Sequence, residues 1–283
     1  MKIAIVPNMT RCDAPQTTLR VCQTLAELGL GFFLPQSLAA EFAETRAEFL
    51  PEAAMLERCD LLLTVGGDGT ILYAAKQAAQ YGKPVLGINA GRLAFLAGLE
   101  ANELPLLKKL MDGQYRIDSR LLLRMCILRG AETLASADCV NDAVIHLAAR
   151  RLSTELRVNL DGQFLNEYMG DGLIAATPTG STAYSLSAGG PVVDPQLESI
   201  LLTPICTHSL FSRSLLFRSD AQLTVESAAG KELSVSCDGE APLLVPSGCR
   251  IHLTQAPCRA EFLRIKSGHF IQTLNQKLAQ WRA

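Results

Sequence analysis

The chain has 283 residues, 48% of them hydrophobic and 19% charged, with 26 basic against 28 acidic side chains. That apolar share excludes a disordered chain, and a formal charge of −2 argues against a nucleic-acid binder held by a basic face. Small anions stay open as ligands, because helix N-termini and backbone N–H nests hold phosphate without net charge.

Residues 3–6 predict a buried strand, and the apolar run that begins the chain is too short for a secretory signal. Leu19, Cys22, Leu25 and Leu28 then give residues 15–28 a helical stripe, with Gly29 suited to its C-terminal end. A strand follows at 31–34, and 38–55 is expected to hold one or two helices broken near Pro51. The unbroken apolar run 61–65 fits a strand covered on both faces. An Ala-rich helix at 71–80 and a strand at 84–88 complete a strand–helix alternation that implies a parallel sheet with right-handed crossovers.

The character changes near Gly113, where runs become shorter and more β-branched. Residues 156–160 and 163–165 read as a hairpin around Asp161-Gly162, a pair that accepts the positive φ of a primed turn. Strands are expected at 221–226, 233–237, 242–245 and 250–254, and helical spacing returns over 269–281. The expected domains are therefore an α/β domain (1–115), a β-rich domain (116–262) and a C-terminal helix (263–283) returning to the first. The longest uncharged stretch, 172–193, is too rich in Gly, Ser, Thr and Pro to cross a bilayer as a helix, so a cytoplasmic protein with no membrane partner is expected. Nine cysteines contain no C-x-x-C pair, and Cys206 and Cys237 end apolar runs. Small buried hydrophobes in a reducing compartment is the expected reading.

Three segments carry chemistry. Gly66-Gly67-Asp68-Gly69-Thr70 stands between a strand and a helix, where open parallel sheets bind ligands. Its glycines admit close backbone approach, the helix offers free N–H groups to phosphate, and Asp68 could accept a proton from a sugar hydroxyl. The plainer alternative is a capped helix behind a glycine turn. The second segment, 171–191, runs from a strand through Thr177-Pro178-Thr179-Gly180 into hydroxyl-rich residues, with Tyr184 able to stack on a base. The third, Asn141-Asp142, stands before the apolar run 143–145 and could grip a ribose, or form an Asx turn. The dinucleotide-like spacing Gly170-Asp171-Gly172 is followed by β-like residues rather than a helix, so it does not read as a Rossmann fingerprint.

Together these segments resemble the ATP-dependent NAD kinases. The resemblance lies in GGDGT at 66–70, Asn141-Asp142, DG…TPTGSTAYSLSAGGP at 171–191, TPICTHSL at 203–210 and SCDG at 236–239. GGDGT alone is shared with lipid kinases, and phosphofructokinases carry a relative of it; the long second signature is what sets this family apart. The resemblance implies a Rossmann-like or phosphofructokinase-like α/β domain with a parallel sheet, then an all-β, sandwich-like domain, and a terminal helix packing back. It implies transfer of the γ-phosphoryl group of ATP to the 2′-hydroxyl of the adenosine ribose of NAD, giving NADP. Asp68 would then be the catalytic proton acceptor, with Gly67, Gly69 and Thr70 around the substrate. Asn141 and Asp142 would hold ribose, and Asp171 a polar base or amide edge. Thr182, Ala183, Tyr184, Ser185, Leu186 and Ser187 would wrap the dinucleotide, and Phe95 would meet the nicotinamide side. His208, Met169 and Glu240 are secondary candidates.

Mg²⁺ would arrive with ATP, and the sequence names no metal ligand. The family also implies a homodimer or homotetramer with sites near the subunit interface. Four positions depart from the family's usual residues: Ala94 for Gly, Met169 for Arg, Thr207 for Pro and Glu240 for Gln. Two other readings remain: a lipid or sphingoid kinase, disfavoured by TPTGSTAY, and a dinucleotide sensor without turnover, disfavoured by Asp68.

Overall fold

The first strand, β1 (Lys2–Pro7), buries Ile3, Ala4 and Ile5 completely, as a strand covered on both faces must. The computed structural model describes residues 1–91, 94–148, 154–208, 212–266 and 269–280. Ser209, Leu210 and Trp281, which belong to the sequence segments above, lie outside them. The chain divides into two compact units, Met1–Ser119 with the segment from Ala260 onward, and Arg120–Arg259.

In the first unit, α1 (Ala14–Glu27) turns its Val21, Cys22 and Leu25 stripe inward. Next come β2 (Gly31–Pro35), β3 (Glu48–Leu50), α2 (Glu52–Arg58), β4 (Leu61–Gly66), α3 (Asp68–Gln80), β5 (Val85–Asn89) and the short β6 (Leu99–Glu100). The strands lie in the order β3-β2-β1-β4-β5, all parallel, with β6 on the far side of β5. Every residue of β4 and β5 is buried.

Residues 38–55 depart from the helical expectation. Before Pro51 they make turns and β3, which pairs with β2, and the helix starts only after the proline. Pro51 biases the residue before it toward extended backbone. The pairing with β2 then satisfies the main chain, while Phe42, Ala47 and Phe49 pack on the core without helical spacing.

The second unit is built from β7 (Arg116–Arg129), β8 (Glu132–Cys139), β9 (Asp142–Leu147), β10 (Thr154–Leu160), β11 (Gln163–Gly170), β12 (Gly172–Ala176), β13 (Ser199–Ile205), β14 (Leu215–Arg218), β15 (Leu223–Ser227), β16 (Leu233–Cys237) and β17 (Leu243–Val245). One antiparallel sheet runs β14-β13-β12-β9-β16-β17. A second set of strands faces it across a core that includes Met125, Ile145, Val158, Tyr168, Leu173, Leu202, Val225 and Val235, a sandwich held by alternating inward side chains. Asp161 (φ 51°) and Gly162 (φ 79°) make the primed turn between β10 and β11.

The last strand, β18 (Arg250–Arg264), is far longer than the expected 250–254. Leu253 pairs with Leu223 at one end, and Phe262 pairs with Val85 of the first unit's sheet at the other. The terminal helix, α4 (His269–Gln280), buries Thr273. All nine cysteines are free. Cys22, Cys59, Cys139, Cys237 and Cys249 are buried, whereas Cys12 and Cys206 are exposed, so the buried reading fails for both; Cys206 sits in a left-handed turn (φ 45°) after β13.

Candidate active site

The glycine-rich segment begins at the carboxyl end of β4. Gly67 is the N-cap of α3 in extended conformation, and its carbonyl takes the N–H groups of Thr70 and Ile71. The helix thus starts at Asp68, three residues earlier than the apolar pattern indicates. Asp68 stands in the first turn, where a negative charge is favoured by the helix dipole. No glycine of the motif has positive φ, so their reasons lie in space. A Cβ on Gly66 would stand 2.5 Å from Thr70 Oγ1, and one on Gly67 would stand 2.9 Å from an Arg11 Nη atom. One on Gly69 would meet nothing within 4 Å. Gly66 is therefore a packing glycine, Gly67 lies under the movable tip of Arg11, and Gly69 leaves open room beside Asp68.

The Asp68 side chain does not cap its own helix. Its Oδ2 accepts the Phe95 N–H at 3.0 Å and its Oδ1 the Leu96 N–H at 2.8 Å. The same short segment is held from its other side. Arg264 Nη1 donates to the carbonyls of Leu96 (2.8 Å) and Ala97 (3.2 Å), while its Nε bonds Asp118 at 3.2 Å in a fully buried pair. Phe95 is half-buried, and Ala94, at a usual glycine position, is buried.

Sequence reasoning missed the neighbour of this loop. A cavity of about 990 Å³ opens between the β1–α1 turn and the ends of β5 and β6, lined by residues including Arg11, Thr17, Arg20, Asn89, Gly91 and Glu100. The Arg11 guanidinium lies against two glycines, for a Cβ on Gly91 would stand 2.7 Å from its Nη1. Asn89 is buried; its Nδ2 donates to Glu100 Oε2 at 2.8 Å, and its Oδ1 has no partner among the described residues. The signal was present in the sequence: Asn89 ends an apolar strand and Arg11 follows one, both at the sheet edge where ligands bind.

In the second unit, Asn141 and Asp142 form the turn into β9, held on both edges. Asp238 accepts the N–H groups of Val140 (2.8 Å), Asn141 (2.7 Å) and Asp142 (3.1 Å), and its own N–H returns to Asp142 O at 2.9 Å. Thr177 Oγ1 donates to Val140 O at 2.6 Å and Thr177 N–H to Asn141 O at 2.8 Å. Gly180 lies so close that a Cβ would stand 2.1 Å from Asn141 O. The Asx-turn alternative therefore gives way to a turn clamped by Asp238, and the TPTG segment is seated on it. Asp142 is only 4% exposed, and burial, then the nearby Asp238 charge, pushes its carboxyl up from 3.8 to about 7.

The hydroxyl-rich segment divides in two. Thr177, Ser181 and Ser185 are buried and spend their hydroxyls inside: Ser181 takes Val193 N–H at 3.0 Å, and Ser185 bonds Thr203 Oγ1 at 2.9 Å. Packing thus explains part of a pattern read as ligand-facing, and the Ser185 hydroxyl points inward. Tyr184 (42% exposed) and Ser187 are open, with Thr182, Ala183 and Leu186 half-covered. Asp171 is exposed and donates its N–H to Ile205 O at 3.0 Å; its carbonyl lies 3.0 Å from His146 Nδ1. His208 is exposed, with its N–H on Met169 O at 2.9 Å. Glu240 binds through its backbone, its carbonyl taking Ser236 Oγ at 2.6 Å.

A carboxylate at the head of a helix, with vacant space next to it at the carboxyl edge of a parallel sheet, is the equipment of a nucleotide-dependent phosphotransferase. Comparison with known proteins narrows the class. Residues 3–115 match the ATP-NAD kinase N-terminal domain and residues 140–265 the ATP-NAD kinase C-terminal domain. The NAD kinase of Symbiobacterium thermophilum is 36% identical over 280 residues, 98% of this chain and 99% of that one. That of Desulforamulus reducens is 34% identical over 289 residues, covering 99% and 98%. Yeast NADH kinase complexed with NADH superposes with a TM-score of 0.89 at 25% identity, over 99% of this chain and 87% of that one. An NAD kinase from Archaeoglobus fulgidus in complex with ATP has the same fold, with a TM-score of 0.74 at 23% identity over 99% of each chain. The chain belongs to the ATP-NAD kinase family.

Proposed function

We propose that the chain transfers the γ-phosphoryl group of ATP to the 2′-hydroxyl of the adenosine ribose of NAD, with Asp68 as the proton acceptor. NAD kinase activity itself comes with the family and with relatives aligned over nearly the full length; the roles of individual residues are what is proposed. The observation that carries them is the pairing of Asp68 with Gly69. The carboxylate is oriented by two backbone N–H groups, and the neighbouring Cβ position is empty. A ribose hydroxyl is a weak nucleophile, so a fixed acceptor beside it assists as the bond to phosphorus forms.

Arg11, laid against Gly67 and Gly91, supplies positive charge for the phosphates. Asn141 and Asp142 hold the ribose, and Tyr184, open to solvent, stacks on a base. Among the described residues no three His, Cys, Asp or Glu side chains form a metal cage. Mg²⁺ would arrive with ATP, held by its phosphates and water, and would neutralise phosphate charge. Assembly into a homodimer or homotetramer, which the family resemblance implies, is part of the same proposal. Among the described residues no helix is long and apolar enough to cross a membrane. The test is an assay for NADP from ATP and NAD beside a diacylglycerol control. NADP formation is expected; phosphorylation of the lipid alone, or NAD binding without turnover, would overturn the proposal.

A further inference from the structure

We propose that Asp238 is a positioning residue for the dinucleotide, acting through the turn it holds. The inference rests on the reading that Asn141 and Asp142 contact NAD, and assigns a device to that site. Asp238 stands in the β16–β17 turn with φ 52°, beside Gly239 at φ 75°. A non-glycine residue is strained there unless something repays it. Here the repayment is visible: the left-handed turn aims the carboxylate at three successive N–H groups, 140 to 142, at 2.7–3.1 Å. A row of N–H groups converging on one anion is the arrangement a nest offers a ligand. In this protein a side chain from the β16–β17 turn fills it.

With the N–H edge taken by Asp238 and the carbonyls of Val140 and Asn141 taken by Thr177, the main chain of this turn is fixed on both edges. The position of the Asn141 and Asp142 side chains is therefore set by Asp238 and Thr177, not by the ligand. A preset turn lowers the ordering cost of binding, so its loss weakens the ligand it serves and spares the other.

The test is steady-state kinetics on the whole chain carrying Asp238→Asn, beside Asn141→Ala. Asn accepts left-handed backbone almost as readily as Asp, but turns an amide group toward at least one of the three donors. In both variants KM for NAD is expected to rise about tenfold or more while KM for ATP stays within about twofold. A purely structural role would lower the active fraction, hence kcat, and leave both KM values in place. If Asn141→Ala raises KM for NAD and Asp238→Asn does not, the positioning role is overturned. If Asn141→Ala itself leaves KM for NAD unchanged, the reading of the turn as a NAD contact falls first. Amide hydrogen exchange on the unmodified protein gives a check independent of any variant's folding. The N–H groups of Val140, Asn141 and Asp142 are expected to be protected as a set, and exchange at open-loop rates would overturn the clamp.

Discussion

Asp142→Asn is expected to stabilise the protein at alkaline pH while weakening NAD use. Asp142 is almost fully buried at the start of β9, and its carboxyl is pushed from 3.8 to about 7, first by burial and then by the Asp238 charge. A carboxyl whose folded value is raised binds its proton more tightly when folded, so stability falls as pH climbs from the unfolded value toward the folded one. The penalty is absent below about pH 4, grows between about pH 4 and 7, and is complete above that. A shift from 3.8 to about 7 corresponds to a ceiling of about 4 kcal/mol. Asn cannot ionise and escapes it.

Thermal melts of both proteins followed by circular dichroism across this range check the sign. The variant is expected to match the parent within about 1 kcal/mol near pH 4 and to melt on the order of 5–10 °C higher near pH 8. At the same time its KM for NAD should rise, following the proposal that Asp142 holds the ribose. A difference in Tm that does not grow with pH would refute the argument, and so would a variant less stable than the parent near pH 8.

Asp68→Asn is expected to cut NADP formation by about 100- to 10,000-fold, the usual worth of a positioned acid or base, with Kd for NAD within about tenfold. Equal losses of binding and turnover would count against the proton-acceptor role. Gly66→Ala and Gly69→Ala should part company. The first collides with Thr70 and lowers stability, whereas the second meets no atom, melts with the parent and still loses turnover; an active Gly69→Ala enzyme would show that the open space serves nothing. Arg264→Met removes the guanidinium that bonds the buried Asp118 carboxylate and the Leu96 and Ala97 carbonyls. It should cost about 3–5 kcal/mol in denaturant unfolding. A loss under about 1 kcal/mol would contradict the buried geometry.

Much of the first unit is legible because its strands are covered on both faces. An uninterrupted apolar run as short as Leu61–Val65, closed by glycines, suits a doubly covered strand, and β4 follows it closely. The β16 strand lies at the bounds its sequence indicates, since Leu233, Val235 and Cys237 alternate inward. Residues 38–55 mislead because an edge strand of three residues leaves no period. The start of α3 is hidden because a helix beginning at Asp-Gly-Thr carries no apolar stripe in its first turn. Long-range anchors are invisible for a different reason. Nothing local says that Asp68 holds residues 95 and 96, or that Asp238 holds 140 to 142, for these bonds join positions 27 and about 97 residues apart. The hydroxyls of Thr177, Ser181 and Ser185 look available to a ligand because sequence cannot tell a hydroxyl that faces a cleft from one that closes a turn.

The two loops share a construction that bears on how their acids must be tested. In each, a carboxylate collects backbone N–H groups from a segment distant in sequence: Asp68 from Phe95 and Leu96, Asp238 from Val140 through Asp142. An acid so placed fixes a loop whatever else it does, so loss of activity on its removal does not distinguish chemistry from scaffolding. What separates them is the surroundings. Asp238 lies in a turn between two strands and reaches Asn141 through the main chain, so its removal should register in the affinity for NAD. Asp68 adjoins a glycine whose missing side chain leaves room for a substrate atom, so its removal should register in the rate after binding. Phosphoryl transfer asks little covalent work of a protein and much alignment. A chain that holds both segments proposed to meet its ligands by charged hydrogen bonds, each stronger than a neutral one, is arranged for that demand.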